Sequence, residues 1–489
     1  MDGFIIQYAR KYCNCEICVA YAYHLCYDEI NHLKGDDIME KYQQLTFGAA
    51  KELITPRERT MMIGFGAAFG VPFTDIHDDL YVRTLLLQDD DGETVLLIAM
   101  DLLFHDDSLP IALRAYAEKT HGVKPDNLHV SYTHTHFGPA VKGYDFNWTA
   151  DSYEAFLFDR ICACIDRAFL TTRRGTLKYA VIGGEWNCSR RLMVDGVMQF
   201  RANPEGEVDK NLYLLKLEDE EGRMRALAAN FACHPSNLDH VYNIISSEYA
   251  GRLCQKIEGA FYGCTALFFQ GFGADAKLRK GMKTSLFRQI SFDECDEVAS
   301  AMLGRIQDKL INGRWETLPV QLGSRVFRLT LPLEINPREF YVERSTYYSK
   351  QPGARYVREI NPAEDLAGNG SKLLWSCADY VLDHYDELPE VLELNCGVVK
   401  INPGFFILSM GGEPVINIRT VLCEAFPDRT LLTFGYNDAI AYIPSDKVIG
   451  EGGYEADGSV TEYRLKGRIA PGVDEIYRRG FGAVMDELK

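Results

Sequence analysis

The 489-residue sequence has no uninterrupted apolar run of the roughly 18 residues that a membrane-crossing helix needs. Apolar stretches such as Thr94–Met100 and Thr265–Gln270 have the length of buried strands. Positive charge is in deficit, with 52 Lys and Arg against 70 Asp and Glu and a formal net charge of −18. No local basic patch offsets that balance, so a nucleic-acid backbone or an anionic membrane surface would be repelled. A small-molecule substrate is the partner these absences leave. Repeats, low-complexity tracts and long Pro/Gly/Ser linkers are also missing. The 47% apolar and 25% charged fractions are ordinary for a packed globular chain.

Fourteen cysteines are scattered along the chain, except for Cys13, Cys15, Cys18 and Cys26 near the N-terminus. A chain of this length needs no disulfide staples, so reduced thiols in a cytoplasm are expected. The spacing of the four N-terminal cysteines is not the paired arrangement of a zinc ribbon, and they read as free thiols on an appended segment. Residues 17–27 are weakly apolar but contain His24 and two cysteines and lack a small-residue cleavage site, which argues against a signal peptide.

Residues 1–44 therefore read as an extension of uncertain order, and residues 45–489 as one continuous α/β domain. Short β-branched or aromatic runs predict strands at 94–101, 127–133, 177–182, 212–217, 226–232, 265–270, 405–410 and 430–435. Helical periodicity predicts helices at 110–120, 152–169, 247–259, 292–311, 372–385, 415–426 and 473–485. That alternation implies a sheet flanked by helices. Residues 321–332 alternate apolar and polar side chains, as an edge or antiparallel strand does, so the sheet is expected to be mixed. Residues 336–370 are polar and carry Pro337, Pro352 and Pro362, and they predict a surface excursion over the site.

The strongest local feature is Thr133-His134-Thr135-His136-Phe137-Gly138-Pro139, directly after a strand. Side chains alternate along a strand, so His134 and His136 are expected on one face about 6–7 Å apart, where they could present imidazoles to a metal. Two histidines satisfied by backbone carbonyls are the alternative. A second strand end carries Cys233-His234-Pro235, with proline forcing the exit from the sheet. Strand ends of this kind converge on the ligand crevice of α/β sheets. Further on, Gly411-Gly412 permits a sharp turn that would bring Glu413 inward; the alternative puts Glu413 in the first turn of the next helix. The segment Gly271-Phe272-Gly273-Ala274-Asp275-Ala276 formally matches a dinucleotide loop, but no helix pattern opens at its second glycine. His77, His105, His121, His129 and His240 have no comparable constellation and read as surface or core residues.

These pieces, in this order, resemble the neutral/alkaline non-lysosomal ceramidase family and its bacterial relatives. The resemblance rests on Met62-Ile63-Gly64-Phe65-Gly66, Leu80-Tyr81-Val82-Arg83, Asp101, the Thr133–Pro139 motif, Val208-Asp209-Lys210, His234-Pro235, Gln270-Gly271 with Asp275, Gly412-Glu413, Tyr442 and Tyr454-Glu455. It implies an α/β fold with a mixed central sheet and one zinc ion held by His134, His234, Glu413 and Tyr442. It further implies that His136 and Tyr454 act at the reacting carbonyl. Such a metal site acidifies a water from a pKa of about 15.7 towards about 7, so that an amide can be attacked at neutral pH.

Four departures point away from ceramide itself. The family's G-D-x-S-P is Ala274-Asp275-Ala276-Lys277-Leu278 here, and its N-R-S-P arginine position holds Cys188, with Arg190 or Arg191 as the nearest substitutes. The expected immunoglobulin-like C-terminal domain and the secretion signal are not read in this sequence. The resulting expectation is a zinc-dependent hydrolase of an N-acyl group on a small polar or sugar-derived substrate, with Arg190, Arg191 and Asp275 contacting that substrate. An esterase, lactonase or ceramidase proper, and a metal-assisted lyase acting on a uronate-like substrate, remain as alternatives.

Overall fold

The computed structural model describes residues 43–64, 72–142, 151–239, 243–351, 370–438 and 440–488. The cysteine-bearing extension up to residue 42, Phe65, Gly66, Gly70 and His240 lie outside the described residues. So does the stretch 352–369 of the expected surface excursion.

The strands used below are β1 (Leu45–Leu53), β2 (Tyr81–Gln88), β3 (Thr94–Met100), β4 (Leu128–Tyr132), β5 (Arg173–Gly183), β6 (Asn187–Val194), β7 (Val197–Asn203), β8 (Asn211–Asp219), β9 (Met224–Phe231), β10 (Thr265–Gln270), β11 (Gly323–Ile335), β12 (Val391–Asn402), β13 (Phe405–Met410) and β14 (Thr430–Phe434). The helices are α1 (Ser108–His121), α2 (Asp151–Leu170), α3 (Glu248–Ala260), α4 (Phe292–Asn312), α5 (Arg338–Ser349), α6 (Gly370–Asp383), α7 (Ile416–Ala425) and α8 (Val473–Glu487). A large mixed sheet runs in the order β10-β9-β8-β5-β1-β2-β3-β4, and a second sheet in the order β14-β13-β12-β11 followed by Gly467–Ile469. The hairpin β6–β7 pairs with Ala276–Leu278 in a small sheet of its own.

Within these two sheets three described pairs are parallel, β3 with β4, β9 with β10 and β13 with β14. Parallel neighbours need a crossover, and here α1, α3 and α7 supply it. The other pairings within the two sheets are antiparallel. Residues 323–332 form the antiparallel strand that their alternation indicates, pairing Gly323 with Lys400 through Pro332 with Val391.

Side-chain alternation explains the layering. In β3, Val95, Leu97 and Ala99 join an apolar layer shared with Ile401, Phe405, Ile407 and Phe434 of the second sheet. Leu96, Ile98 and Met100 point the other way, into the core under α1 and α2. In β13 the same switch separates Phe405 and Ile407 from Phe406, Leu408 and Met410, which pack with α7 and α8. The two sheets thus lie face to face with helices outside, and the Phe269 and Phe434 rings stack across the seam at 4.2 Å. Burial on both faces is why these strands read as continuous apolar runs.

Ser291 caps α4, accepting from the backbone N–H of Glu294 while the Glu294 carboxylate accepts from that of Ser291. The excursion expected after residue 336 instead begins with α5, whose Tyr341 is buried and donates to Leu465 O at 2.6 Å. Expectation missed this helix because two prolines beyond it dominated the local reading.

Candidate metal centre

The parallel pairs put the carboxyl ends of β4, β9 and β13 at one place, where open α/β folds gather their ligands. His134 and His136 follow β4, His234 follows β9 and Glu413 follows β13. The first expectation for His134 needs correcting. β4 ends at Tyr132, and His134 adopts φ +63, so the chain turns through the left-handed region instead of continuing as a strand. The two rings converge through that turn, with centroids 5.0 Å apart and planes at 81°.

Both imidazoles are anchored by backbone carbonyls at Nδ1, His134 by Leu103 O at 2.7 Å and His136 by Gly64 O at 2.8 Å. The alternatives of carbonyl satisfaction and ligand presentation are therefore compatible: an Nδ1–H held this way leaves the Nε2 lone pair facing the site. His136 Nε2 lies 2.9 Å from His234 Nε2. Ligand nitrogens of His134, His136 and His234 fall within 4.8 Å of one another. Burial, and then the neighbouring His134, hold the pKa of His136 and of His234 well below the usual imidazole value, which keeps both rings neutral.

Glu413 enters through a turn only glycine makes easily. Gly412 has φ +66, and a Cβ there would sit 2.7 Å from Ala441 O. The backbone of Glu413 pairs with Tyr442, and α7 begins only at Ile416, so the carboxylate faces the cluster and is not in the helix. Its Oε2 stands 3.5 Å from His134 Nε2 and 3.5 Å from His234 Nδ1. Neither His134 Nε2 nor Glu413 Oε2 has a hydrogen-bond partner, although both are buried. Burial opposes the carboxylate charge, yet the adjacent His134 and the hydroxyls of Tyr463 and Tyr442 bring the Glu413 pKa below its ordinary value.

These donors fit a divalent ion. Ligand atoms at about 2.0–2.1 Å from zinc, arranged tetrahedrally, stand about 3.3–3.4 Å apart. The 3.5 Å separations at Glu413 match that edge, and two buried polar atoms without partners are what a missing cation would leave.

Tyr442 stacks on His234 with ring centroids 6.4 Å apart, and burial pushes its phenol well above the usual value while Arg190 counteracts. Arg190 lies 5.3 Å from the Tyr442 ring and 5.5 Å from that of Tyr454. Its Nε donates to Glu455 at 2.7 Å, and Arg191 Nη1 takes the other Glu455 oxygen at 2.6 Å. Tyr454 packs 5.1 Å from Tyr442 and donates to Glu462 at 2.7 Å. Asp275 accepts from the backbone N–H of Ile416 at 3.0 Å, capping α7, and lines with Arg191 a cavity of about 400 Å³. Burial, reinforced by Glu455, raises the Asp275 pKa to about 6.

Sequence reasoning missed three tyrosine and acid positions that shape the cluster. Tyr436, at φ +60, sets its hydroxyl 3.2 Å from His234 Nδ1 and its ring 4.5 Å from that of His134. Tyr463 donates to Glu413 Oε1, and Asp438 accepts the Gly412 N–H at 2.7 Å. Asp438 lies four residues beyond the end of β14. The glycines of the dinucleotide-like segment have another purpose: a Cβ on Gly273 would meet the Ala232 backbone at 2.4 Å, just before His234. A short strand, Ala276–Leu278, follows them, and no helix opens there.

Residues 46–272 match the family model described as neutral/alkaline non-lysosomal ceramidase, N-terminal. Over these residues, somewhat less than half of its length, the chain is similar to the neutral/alkaline ceramidases. That segment holds His134, His136 and His234, whereas Glu413, Tyr442 and Tyr454 lie beyond it. Neutral ceramidase A of Dictyostelium discoideum is 25% identical over 246 residues, 46% of this chain and 33% of that protein. Neutral ceramidase B of the same organism is 29% identical over 147 residues, covering 27% of this chain and 20% of its own. The matches thus span a third or less of these relatives. The crystal structure of neutral ceramidase from Pseudomonas aeruginosa covers 91% of this chain and 75% of its own, with a TM-score of 0.67 and 17% identity. A ceramidase complexed with C2 gives a TM-score of 0.68 at 17% identity, covering 91% and 76%. The mixed-sheet α/β fold is that of the neutral ceramidases.

Proposed function

We propose that the chain is a zinc-dependent hydrolase that cleaves an amide, an N-acyl group on a small polar or sugar-derived molecule. The observation that carries this reading is the buried, partnerless pair of His134 Nε2 and Glu413 Oε2 beside the other histidines. In it His134, His234, Glu413 and Tyr442 hold the ion. Zinc, when bound, lowers the pKa of a water to about 7 and polarises the scissile carbonyl.

The remaining steps belong to side chains. His136 lies at hydrogen-bond distance from His234 Nε2, 2.9 Å, which suits a partner of the ligand set better than a further ligand. Its Nδ1 is tied to Gly64 O, so Nε2 is the atom that exchanges a proton with the attacking water and the leaving amine. Tyr454, kept protonated by burial and then by Glu462, turns its hydroxyl from Glu462 to give a hydrogen bond to the developing oxyanion. Arg190, whose buried Nη2 has no hydrogen-bond partner, contacts the substrate from above Tyr442, with Arg191 and Asp275 behind it.

Residues 45–489 act as one catalytic unit in this reading, supported by the apolar layer that the two sheets share. A cytoplasmic setting fits the ten described cysteines, all free thiols and nine of them buried. No described helix is long and apolar enough to cross a membrane. An ester, a lactone or ceramide would use the same groups, so the test is a substrate panel on the zinc-loaded protein. Release of a free amine and a carboxylate from N-acyl amino sugars or N-acyl amino acids supports the proposal. An unsaturated product from a uronate, or turnover of short-chain ceramide alone, would overturn it.

A further inference from the structure

Behind the loop that carries Tyr436 is a cavity of about 220 Å³ between α1, β4 and the second sheet, lined among others by Arg114, His129, Asn395, Ser409 and Asn437. Its charges are unbalanced in one place. Asp107 is taken by Arg328 at 3.1 Å and by Asn395 Nδ2 at 2.7 Å, and Asp126 by Arg325 at 3.3 Å. Asp438 takes the other contact of Asn395 Nδ2, at 2.8 Å. Arg114, half-buried on α1, feels Asp107 and Asp126, the two carboxylates already taken by Arg328 and Arg325, and its Nε donates to Leu128 O at 3.3 Å.

Acceptors complete the wall. Asn437 Oδ1 is buried without a hydrogen bond. Ser324 donates to Asp126 O at 2.6 Å, so its oxygen accepts from His129 Nε2 at 2.7 Å, and His129 Nδ1 accepts from the Ser409 hydroxyl at 3.5 Å. A Cβ on Gly397 would approach that Nδ1 to 2.6 Å and close the space. A cation whose two neighbouring carboxylates are each engaged by another arginine, together with the open acceptor Asn437 Oδ1, suits an anion that also carries a donor. Since one water needs only about 10–15 Å³ of such space, the cavity has room for a short hydroxy or amino acid.

We propose that this cavity is a binding site for a small carboxylate bearing a hydroxyl or amino group, the carboxylate on Arg114 and the donor on Asn437 Oδ1. The bidentate fork of arginine matches a carboxylate, and the apolar flank of Pro110, Ile111, Val130 and Phe327 matches a short carbon chain. The site is separate from the histidine cluster but shares a wall with it, because Asn437 sits between Tyr436 and Asp438.

The test is calorimetric titration of the metal-loaded protein with glycerate, serine and inorganic phosphate. One glycerate or serine per chain with a Kd of about 1 mM or tighter is expected, weakened roughly tenfold or more by Arg114→Gln and kept by Glu413→Gln. Should Arg114→Gln not fold, Arg114→Lys, which loses the fork but keeps the charge, carries the same expectation. Three outcomes overturn the proposal: no binding of glycerate or serine, binding of phosphate in their place, or binding that survives Arg114→Gln and disappears in Glu413→Gln. The last would put the carboxylate at the histidine cluster.

Discussion

His134 Nε2 and Glu413 Oε2 face each other across 3.5 Å, both buried and neither hydrogen-bonded. Leaving two buried polar atoms unsatisfied costs about 1–3 kcal/mol each, which a bound cation would recover. Elemental analysis of the purified protein should therefore give one zinc per chain, lost in His134→Ala, His234→Ala and Glu413→Ala. Zinc retained in all three variants would move the site to the N-terminal cysteines.

His136 and Tyr454 are expected to separate from that group. His136→Gln and Tyr454→Phe should keep the metal while lowering kcat by about 10²- to 10³-fold, the size of a lost proton transfer or oxyanion contact. Metal content measured beside turnover checks this. Loss of zinc from His136→Gln would make His136 a ligand.

The Glu455 carboxylate joins two buried guanidinium groups, Arg190 and Arg191. Removing the shared anion takes away the carboxylate of Arg190 and leaves Arg191 with Glu451, and breaking a buried pair costs about 3–5 kcal/mol. Glu455→Gln should lower the urea midpoint accordingly, more than Glu451→Gln, whose contact with Arg191 is 3.2 Å and half-exposed.

Burial, followed by the nearby Arg114, drives the His129 pKa from 6.5 down to about 3. The unfolded chain takes up that proton below about pH 6.5 and the folded chain does not. The stabilisation is therefore complete above pH 6.5 and is lost as pH falls towards 3, at up to about 1.4 kcal/mol per pH unit. Urea unfolding between these limits should show a shallower slope for His129→Gln than for the parent chain. Equal slopes would mean that the imidazole is hydrated in the native state.

The apolar strands were legible because both of their faces are covered, so Thr265–Gln270 and Phe405–Met410 stand out as runs. β6 and β7 were not, since their short sheet covers a polar site and carries Asn187, Arg190, Gln199 and Arg201 among its residues. His134, His234 and Glu413 could be read from strand ends and glycine or proline breaks. Tyr436 and Tyr463 could not, because a tyrosine that bonds a ligand looks in sequence like any packed aromatic. The left-handed turn at His134 was equally hidden: an H-x-H pair reads as strand whether or not the strand continues.

The loop after β14 has one more effect. Tyr132 N–H donates to Tyr436 O at 2.9 Å and the Ser131 hydroxyl to Gly435 O at 2.9 Å, along the outer side of β4. β4 is the last strand of the large sheet, and an open edge there would be a template for adding a strand from another molecule. The segment that shapes the histidine cluster therefore also covers this border against self-association, so a substitution that loosens it is expected to show first as aggregation.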